Sequence, residues 1–474
     1  MSTNAYDVIG YPTTIIASTH PDRMATTATL HGMSPPPIAT ARVLELGGGD
    51  ALNLIALAVA YPEAQFVSID LAAAPVERGQ LLAKRLALPN VEVRVGDIVA
   101  EAETLDQTFD YIIAHGVYAW VPAVVRTAIM KLIGRTLSPN GVAYISYNAL
   151  PGGYLRLALR DMVLHHVEGI DDLQKRLSSA RSYLSRFGQP RDPDLPGIGS
   201  LREEARAILR KQPEVLHHDE LGEVFEPQAL KDVVAVANAH GLSYLNETQP
   251  AMLGSGMLLD DEDETATDES AIVRRAQALD YELQRFFAQS MFVRTEAGPA
   301  RRLDSAAVHG LWVSTEAIPI GQGRFEMPKG GFTVGDDQVS AVIAAAAAGL
   351  PAYVRIADHI AADDDERLLA LVELYKAGAI MTHSAPAAAA TASAEPCASP
   401  LARAMVRGSQ EVVVTLDHSM LKLDDVAARA FLMLLDGTRD LPTLEREWLQ
   451  TSHADTIGAE EALKTLIRNH LIQR

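Results

Sequence analysis

The chain has 474 residues, with 41 Lys and Arg against 61 Asp and Glu, a formal charge of −20, and one cysteine. At about 150 residues per domain, that length predicts roughly three domains or large subdomains. Hydrophobic residues at 48% and charged residues at 22% are globular values and exclude general disorder. The acidic balance argues against a nucleic-acid surface, which needs clustered Lys and Arg, and suits a cationic partner better. Cys397 has no partner in the chain, so neither a disulfide framework nor a cysteine zinc site is expected. Met1 to Gly10 shows no basic segment followed by an apolar one, and no apolar run reaches spanning length. A cytoplasmic location with no membrane span is therefore expected.

From the N-terminus, strand-like runs alternate with helix-like ones. Arg42–Leu46, Gln65–Ile69, Val91–Val95, Phe109–Ala114 and Val142–Tyr147 read as strands. Leu52–Tyr61, Pro75–Ala87 and Ala123–Leu137 read as helices between them. This alternation predicts right-handed crossovers and a mostly parallel sheet with helices on both faces. Pro151–His218 reads as helix broken at Gly188–Gly199, a helical insertion over about 153–218. Gln228–His240 and Ala271–Phe287 are helical, and Leu242–Asn246 and Gln289–Thr295 are read as a late antiparallel pair closing the same sheet. The first domain then runs over 41–298, behind an N-terminal arm of residues 1–40. The acidic run Asp260–Glu269 reads as a solvated loop.

Past Pro299 the pattern changes. Leu311–Ile318 and Phe332–Val334 look like strands and Asp337–Ala348 and Asp365–Lys376 like helices, an α+β accessory domain over 299–383. Ser384–Pro400 is rich in Ala, Ser and Pro and reads as a linker. Leu401–Arg474 has a strand at Glu411–Leu416 and helices near Asp424–Leu435, Leu441–Gln450 and Ala459–His470, a winged-helix-like pattern. Leu368–Ile380 and Glu461–Ile472 end alike, a weak sign of an internal repeat.

The most informative stretch is Val43–Ile55, VLELGGGDALNLI. A strand ends in Glu45, then come Gly47, Gly48 and Gly49, then a helix. Glycines at such a turn let a ligand approach the backbone, and free N–H groups at the helix start suit polar ligand atoms. Asp70 ends the next strand, where a carboxylate commonly holds a ribose hydroxyl pair. Asp97 follows the third strand, where it could meet an adenine amino group. A nicotinamide dinucleotide is the rival reading. The turn lacks the G-x-G-x-x-G spacing, because Leu52 stands at the last position, and Glu45 would repel a pyrophosphate. A cationic adenosyl cofactor with an amino-acid tail fits better, which is the spacing of class I S-adenosylmethionine-dependent methyltransferases.

Four stretches narrow the reading: Ser18–Met33 (STHPDRMATTATLHGM), Ala41–Ile55, Phe109–Pro122 (FDYIIAHGVYAWVP) and Ser146–Gly153 (SYNALPGG). With these the chain resembles the methyltransferases with a regulatory domain that include the rickettsial outer-membrane-protein lysine methyltransferases. The resemblance runs over nearly the whole chain. It implies an α/β, Rossmann-like class I core with a mostly parallel seven-stranded sheet, a helical middle region and winged-helix-like C-terminal modules. Two positions depart from it. Ala51 stands where a third glycine is common, and Gly153 where Trp usually follows Pro-Gly.

Carried over residue by residue, the resemblance implies that Glu45, Gly47 and Gly49 line the methionine part of S-adenosylmethionine, with Asn53 a polar contact. Asp70 would take the ribose hydroxyls, with Leu71 beside the adenine, and Asp97 and Ile98 would hold the adenine. His115 and Gly116 would lie nearest the transferring methyl. A lysine acceptor must be neutral and aligned in line with the methyl. Tyr118 and Trp120 are candidate channel walls, because aromatic faces recognise a cationic head. His115, Tyr147 and Asn148 are candidates for positioning the amine. Each of these also has a packing alternative. Tyr6, Tyr11, His20 and Arg23 are candidates for a lid, with ordinary packing as their alternative. The pairs His165-His166 and His217-His218 are poorly spaced for metal, and none is expected. The expected partner is a protein bearing a lysine; a small-molecule acceptor and a non-catalytic scaffold on the same fold are the competing readings. The oligomeric state is left open.

Overall fold

The first strand, β1 (Arg42–Leu46), is buried on both faces from Val43 onward, as a central parallel strand is expected to be. It pairs in parallel with β2 (Gln65–Asp70) and β4 (Phe109–Ala114). The computed structural model describes residues 5–190, 197–249, 268–328, 330–390, 393–453 and 456–473. With β3 (Val91–Val95), β5 (Leu137–Asn148), β6 (Leu242–Glu247) and β7 (Phe287–Arg294), the sheet has seven strands in the order β3-β2-β1-β4-β5-β7-β6. β7 is antiparallel to both neighbours, so the late pair does close the sheet.

Alternation along the strands divides the core. Leu44, Leu46, Ile112 and Tyr147 face a cluster built with Ala123–Thr136 and Leu230–Asn238. Val43, Tyr111, Ile113 and Tyr144 face Leu54, Leu57, Met24 and Ala28 on the other side. Met24 and Ala28 belong to the helix Pro21–Leu30, which is therefore core and not a free arm. Apolar residues at Met24, Ala25, Ala28 and Leu30 give it a buried stripe at helical spacing.

The helix Ala123–Thr136 crosses the turn before β6 at Gly134. A Cβ there would lie 2.2 Å from the carbonyl oxygen of His240. Gly134→Ala is expected to cost about 2 kcal/mol, since neither backbone can yield locally. A fall in the urea midpoint checks it; an unchanged midpoint would mean that the contact relaxes freely.

The insertion forms a helical subdomain from Gly153–His166, Leu173–Phe187, Ile198–Leu209 and Pro213–Leu221, with its own core around Leu159, Leu184, Ala205 and Leu216. In the accessory domain, Trp312–Ser314 is flanked by Val354–Arg355 and Met381–His383. The expected strand 311–318 breaks after Ser314. Thr315 Oγ1 donates to the Ala379 carbonyl at 2.8 Å and accepts from Ala317 N at 3.0 Å, which turns the chain. A separate antiparallel meander then follows, Ile318–Gly321, Arg324–Met327 and Gly330–Thr333.

Residues 384–400, read as a linker, are packed where they are described. Ala390 N donates to the Ile472 carbonyl and Ala398 N to that of Leu435, both at 2.9 Å. The small side chains that suggest low complexity are what let this segment lie against the last strand-like residues. The C-terminal module has helices Pro400–Arg407, Val426–Leu434, Leu441–Trp448 and Ala459–Arg468, and a hairpin of Val412–Val414 with Met420–Lys422. The suspected repeat has a local basis. Both helices end on a left-handed residue, Gly378 and His470, with Ala379 N bonding Leu374 O and Leu471 N bonding Leu466 O. Most of the acidic run lies outside the described residues. Its last two acids are structural: Asp268 caps Glu269–Glu282 through Ala271 N, and Glu269 accepts from Tyr244 N at 2.6 Å.

Candidate active site

The carboxyl ends of the parallel strands share one edge, where ligands sit in open α/β sheets. Gly47 and Gly49 have φ of 70° and 58°, left-handed values that the sharp strand-to-helix turn requires. A Cβ on Gly48 would strike Ser68 Oγ at 2.3 Å and Glu45 Oε2 at 2.7 Å. Above Gly49 and Gly116 a Cβ would meet nothing within 4 Å, so both border open space. Ala51 also sits in the left-handed region, with φ of 57°. That is a conformation glycine adopts without steric cost, and Ala51 is fully buried.

Glu45 is 4% exposed. Its Oε1 accepts from Asn53 Nδ2 at 2.8 Å, and its Oε2 has no hydrogen-bond partner. Burial pushes its carboxyl up to about 8. Asn53 Nδ2 also donates to Thr19 Oγ1 at 3.0 Å, and Asn53 Oδ1 accepts from Ile16 N at 3.0 Å. Asp70 accepts from Gly49 N and Ala72 N, both at 2.8 Å, so the ribose candidate also braces the glycine turn. Burial raises its carboxyl as well. Leu71 is 62% exposed. Asp97 caps Ile98–Thr104 by accepting from Val99 N at 2.8 Å, and Ile98 packs partly into the core.

His115 anchors a network that strand-by-strand reading missed. Its Nδ1 lies 2.9 Å from Tyr144 Oη and 3.1 Å from Ser146 Oγ. Ser146 accepts from Gly116 N at 2.9 Å. Tyr144 reaches Ser18 Oγ at 3.3 Å, which accepts from Gln289 Nε2 at 2.9 Å. Burial lowers His115 to about 4, so its imidazole is neutral near pH 7. Its Nε2 has no hydrogen-bond partner among the described residues. Strand alternation puts Asn148 on the face of Tyr144 and Ser146. Its carbonyl accepts from Gln228 N at 2.8 Å, while its side-chain amide is unpaired among the described residues.

Three acceptor-side candidates are placed elsewhere. Tyr118 and Tyr147 are both buried with ring centroids 6.1 Å apart, and Tyr147 Oη pairs with Ser290 Oγ at 3.1 Å. Strand alternation turns Tyr147 away from Tyr144 and Ser146, the partners of His115, and Tyr118, in the 3-10 turn Tyr118–Trp120, packs in the same cluster as Tyr147. Trp120 stacks near Phe225 at 4.6 Å, and Arg156 and Arg160 already cover its ring at 5.2 and 5.8 Å. Its cation-binding face is occupied by the chain's own guanidinium groups. The proposed lid divides. Tyr6 stacks on His218 at 4.1 Å and Asp7 accepts from Ala74 N at 2.8 Å, so this segment bridges the helix after Asp70 to the insertion. Tyr11 Oη donates to Asp219 at 3.4 Å. His20 instead caps its own helix through Asp22 N, and Asp22 binds His383 of the accessory domain and the adjoining Ser384.

The residues at this edge fit S-adenosylmethionine. A buried carboxylate oxygen without a partner suits its ammonium group, the spaces above Gly49 and Gly116 admit its chain, and Asp70, the ribose candidate, ends β2 beside the glycine turn. The sheet order and this turn define a class I S-adenosylmethionine-dependent methyltransferase fold. Comparison with known proteins agrees. Family models match over residues 39–184 (Methyltransferase domain), 212–294 (Predicted methyltransferase regulatory domain) and 395–472 (PKMT, C-terminal winged helix domain). The uncharacterized protein RP028 of Rickettsia prowazekii is 33% identical over 221 residues, 46% of this chain and 88% of that protein. RP789 of the same organism is 31% identical over 317 residues, 67% of this chain; the match spans 57% of that longer relative. The structure of PKMT2 from Rickettsia typhi has a TM-score of 0.81 at 22% identity, covering 98% of this chain and 100% of that one. A second structure of PKMT2, in complex with AdoHcy, has a TM-score of 0.80. The chain belongs to the family of RP028, and its own sequence carries a methyltransferase domain, a regulatory domain and a winged-helix module, which make it an S-adenosylmethionine-dependent methyltransferase. The regulatory match contains β6 and β7, so that segment completes the catalytic sheet. Among the described residues, no helix is long and apolar enough to cross a membrane.

Proposed function

We propose that the chain is a protein-lysine N-methyltransferase that moves a methyl group from S-adenosylmethionine to a neutral amine, acting in the cytoplasm. S-adenosylmethionine supplies the electrophilic methyl. The observation that carries the reading is the pair of unpaired polar groups, His115 Nε2 and the Asn148 amide, on the open edge beside Gly116. Together they offer hydrogen-bond partners to an amine placed for in-line attack. A group titrating near 4 is a poor proton acceptor at neutrality, so His115 orients the amine and the proton leaves to solvent. A protein acceptor is favoured by the rim: Tyr154 and Phe286 are 61% and 66% exposed around Gly152, an apolar lip that a polypeptide segment would cover. The likeness to PKMT2 and the PKMT winged-helix match support the same substrate class.

Incubation with labelled S-adenosylmethionine and a bacterial lysate should place label on lysine of a protein. Label confined to small molecules would overturn the protein reading, and a chain that neither binds the cofactor nor labels anything would leave a scaffold. Asn148→Ala is expected to lower kcat by about a hundredfold through lost alignment, with the cofactor KM little changed. Equal losses in kcat and cofactor affinity would move Asn148 out of the acceptor role.

A further inference from the structure

We infer that the winged-helix module completes the cofactor site, with His418 as a positioning residue that holds Glu45 through Asn53. This rests on the proposed role of Glu45 toward the ammonium group of the cofactor. His418 lies in the turn of the module's hairpin, with φ of 63° and 1% exposure. Its Nε2 stands 2.8 Å from Asn53 Oδ1, across 365 residues of sequence. Asn53 lies in the first turn of the helix Leu52–Ala60, which follows the glycine turn.

The donors and acceptors leave one arrangement. Asn53 Oδ1 faces the N–H of Ile16 at 3.0 Å and His418 at 2.8 Å. Asn53 Nδ2 faces two oxygens, Glu45 Oε1 at 2.8 Å and Thr19 Oγ1 at 3.0 Å. Flipping the amide would set its NH2 against the Ile16 N–H and its oxygen against the Glu45 carboxyl. An amide oxygen only accepts, so His418 carries its proton on Nε2. Burial keeps the ring neutral, and its Nδ1 has no partner. With the amide locked, Glu45 Oε1 is engaged and Oε2 is the oxygen left for a ligand.

The turn that presents His418 is itself rigid. Thr415 N donates to the Ser419 carbonyl at 3.0 Å, His418 N to that of Thr415 at 3.1 Å, and Leu416 N to that of His470 at 2.8 Å. Val414, Leu416 and Leu401 of the module pack on Ala56 and Val59 of the helix that carries Asn53. The module is therefore seated on the back of the glycine turn, and His418 is the polar group it inserts there.

The test uses the full chain and S-adenosylhomocysteine as the probe. His418→Leu should weaken its calorimetric affinity about tenfold, the effect of one buried hydrogen bond, and raise the cofactor KM alike with kcat little changed. His418→Gln keeps an N–H donor and should recover most of the affinity. Val413→Ala, which loosens the same hairpin without touching Asn53, should lower the melting temperature and leave affinity intact. In an Asn53→Ala background, His418→Leu should cost little more. Unchanged affinity in His418→Leu, no recovery in His418→Gln, or an equal loss in Val413→Ala would each overturn the inference. A wild-type chain that does not bind the probe would instead overturn the cofactor reading beneath it.

Discussion

Asp70→Ala is expected to weaken binding of S-adenosylhomocysteine by about 1–3 kcal/mol, the usual range for a lost charged hydrogen bond. That is roughly five- to 150-fold in affinity. The carboxylate has two duties. It is the proposed partner of the ribose hydroxyls, and it accepts from Gly49 N and Ala72 N at 2.8 Å each. Removing it also frees two backbone donors at the turn, so the unliganded melting temperature should fall as well. Asp70→Asn is the milder change: its amide oxygen keeps one of the two turn bonds, whereas its NH2 group presents a donor in place of the other acceptor, so the melting temperature should fall less than in Asp70→Ala. If affinity is unchanged in both variants, the ribose assignment fails.

Glu45→Gln carries the second large effect, and its sign depends on pH. Burial lifts the Glu45 carboxyl to about 8, with Asp50 and Asp70 adding repulsion. An ordinary glutamate titrates near 4.5. A raised acid stabilises the fold fully below its unfolded value and loses that contribution as pH climbs through the folded one. The unliganded chain should therefore lose stability between about pH 4.5 and 8, and Glu45→Gln should flatten that part of the curve. Ligand binding runs the other way. An ammonium group at Oε2 favours the ionised carboxyl, so binding near pH 7 should release close to one proton. Affinity should rise with pH by up to about tenfold per unit below 8. Calorimetry in buffers of different ionisation heat measures the proton directly. A Glu45→Gln variant that binds as tightly as the parent at pH 8, or a parent that releases no proton, would remove Glu45 from the site.

The glycine turn proposed to hold the cofactor was legible because its determinants are local. Glycines with positive φ at a strand-to-helix turn, and acids at the ends of consecutive strands, are set within a few residues of one another. The acceptor half was less so. FDYIIAHGVYAWVP pointed to the loop that carries His115 and Gly116 but not to which of its side chains face the sheet edge. Tyr118 and Trp120 look like channel walls until the insertion supplies Arg156 and Arg160 to cover Trp120. Tyr144 and Gln289 lie on different strands far from His115 in sequence; folding sets Tyr144 directly against His115 and links Gln289 to Tyr144 through Ser18. Ser18 and Ser146 did lie within stretches singled out by the resemblance, a signal that could have found them.

The N-terminal segment and the Ala-rich segment misled for a related reason. Residues 1–40 lack the strand–helix alternation of the core, so Pro21–Leu30 reads as part of an arm. Yet Met24 and Ala28 fill one face of the sheet, and Asp22 ties that helix to His383 and Ser384. Small side chains at 384–400 predict a solvated linker, whereas they permit close backbone pairing with the chain's last residues.

Periodicity, glycine placement and strand-end acids by themselves determined the sheet, the late antiparallel closure, the insertion and the cofactor turn, since each depends on chemistry within one element or one connection. Tertiary structure alone decided which faces those elements present. It turned Tyr147 away from His115, filled the face of Trp120 with arginines, and brought His418 from the last module to Asn53 near the first strand. Such contacts join residues hundreds of positions apart, and they exist only after burial has chosen one packing of the modules.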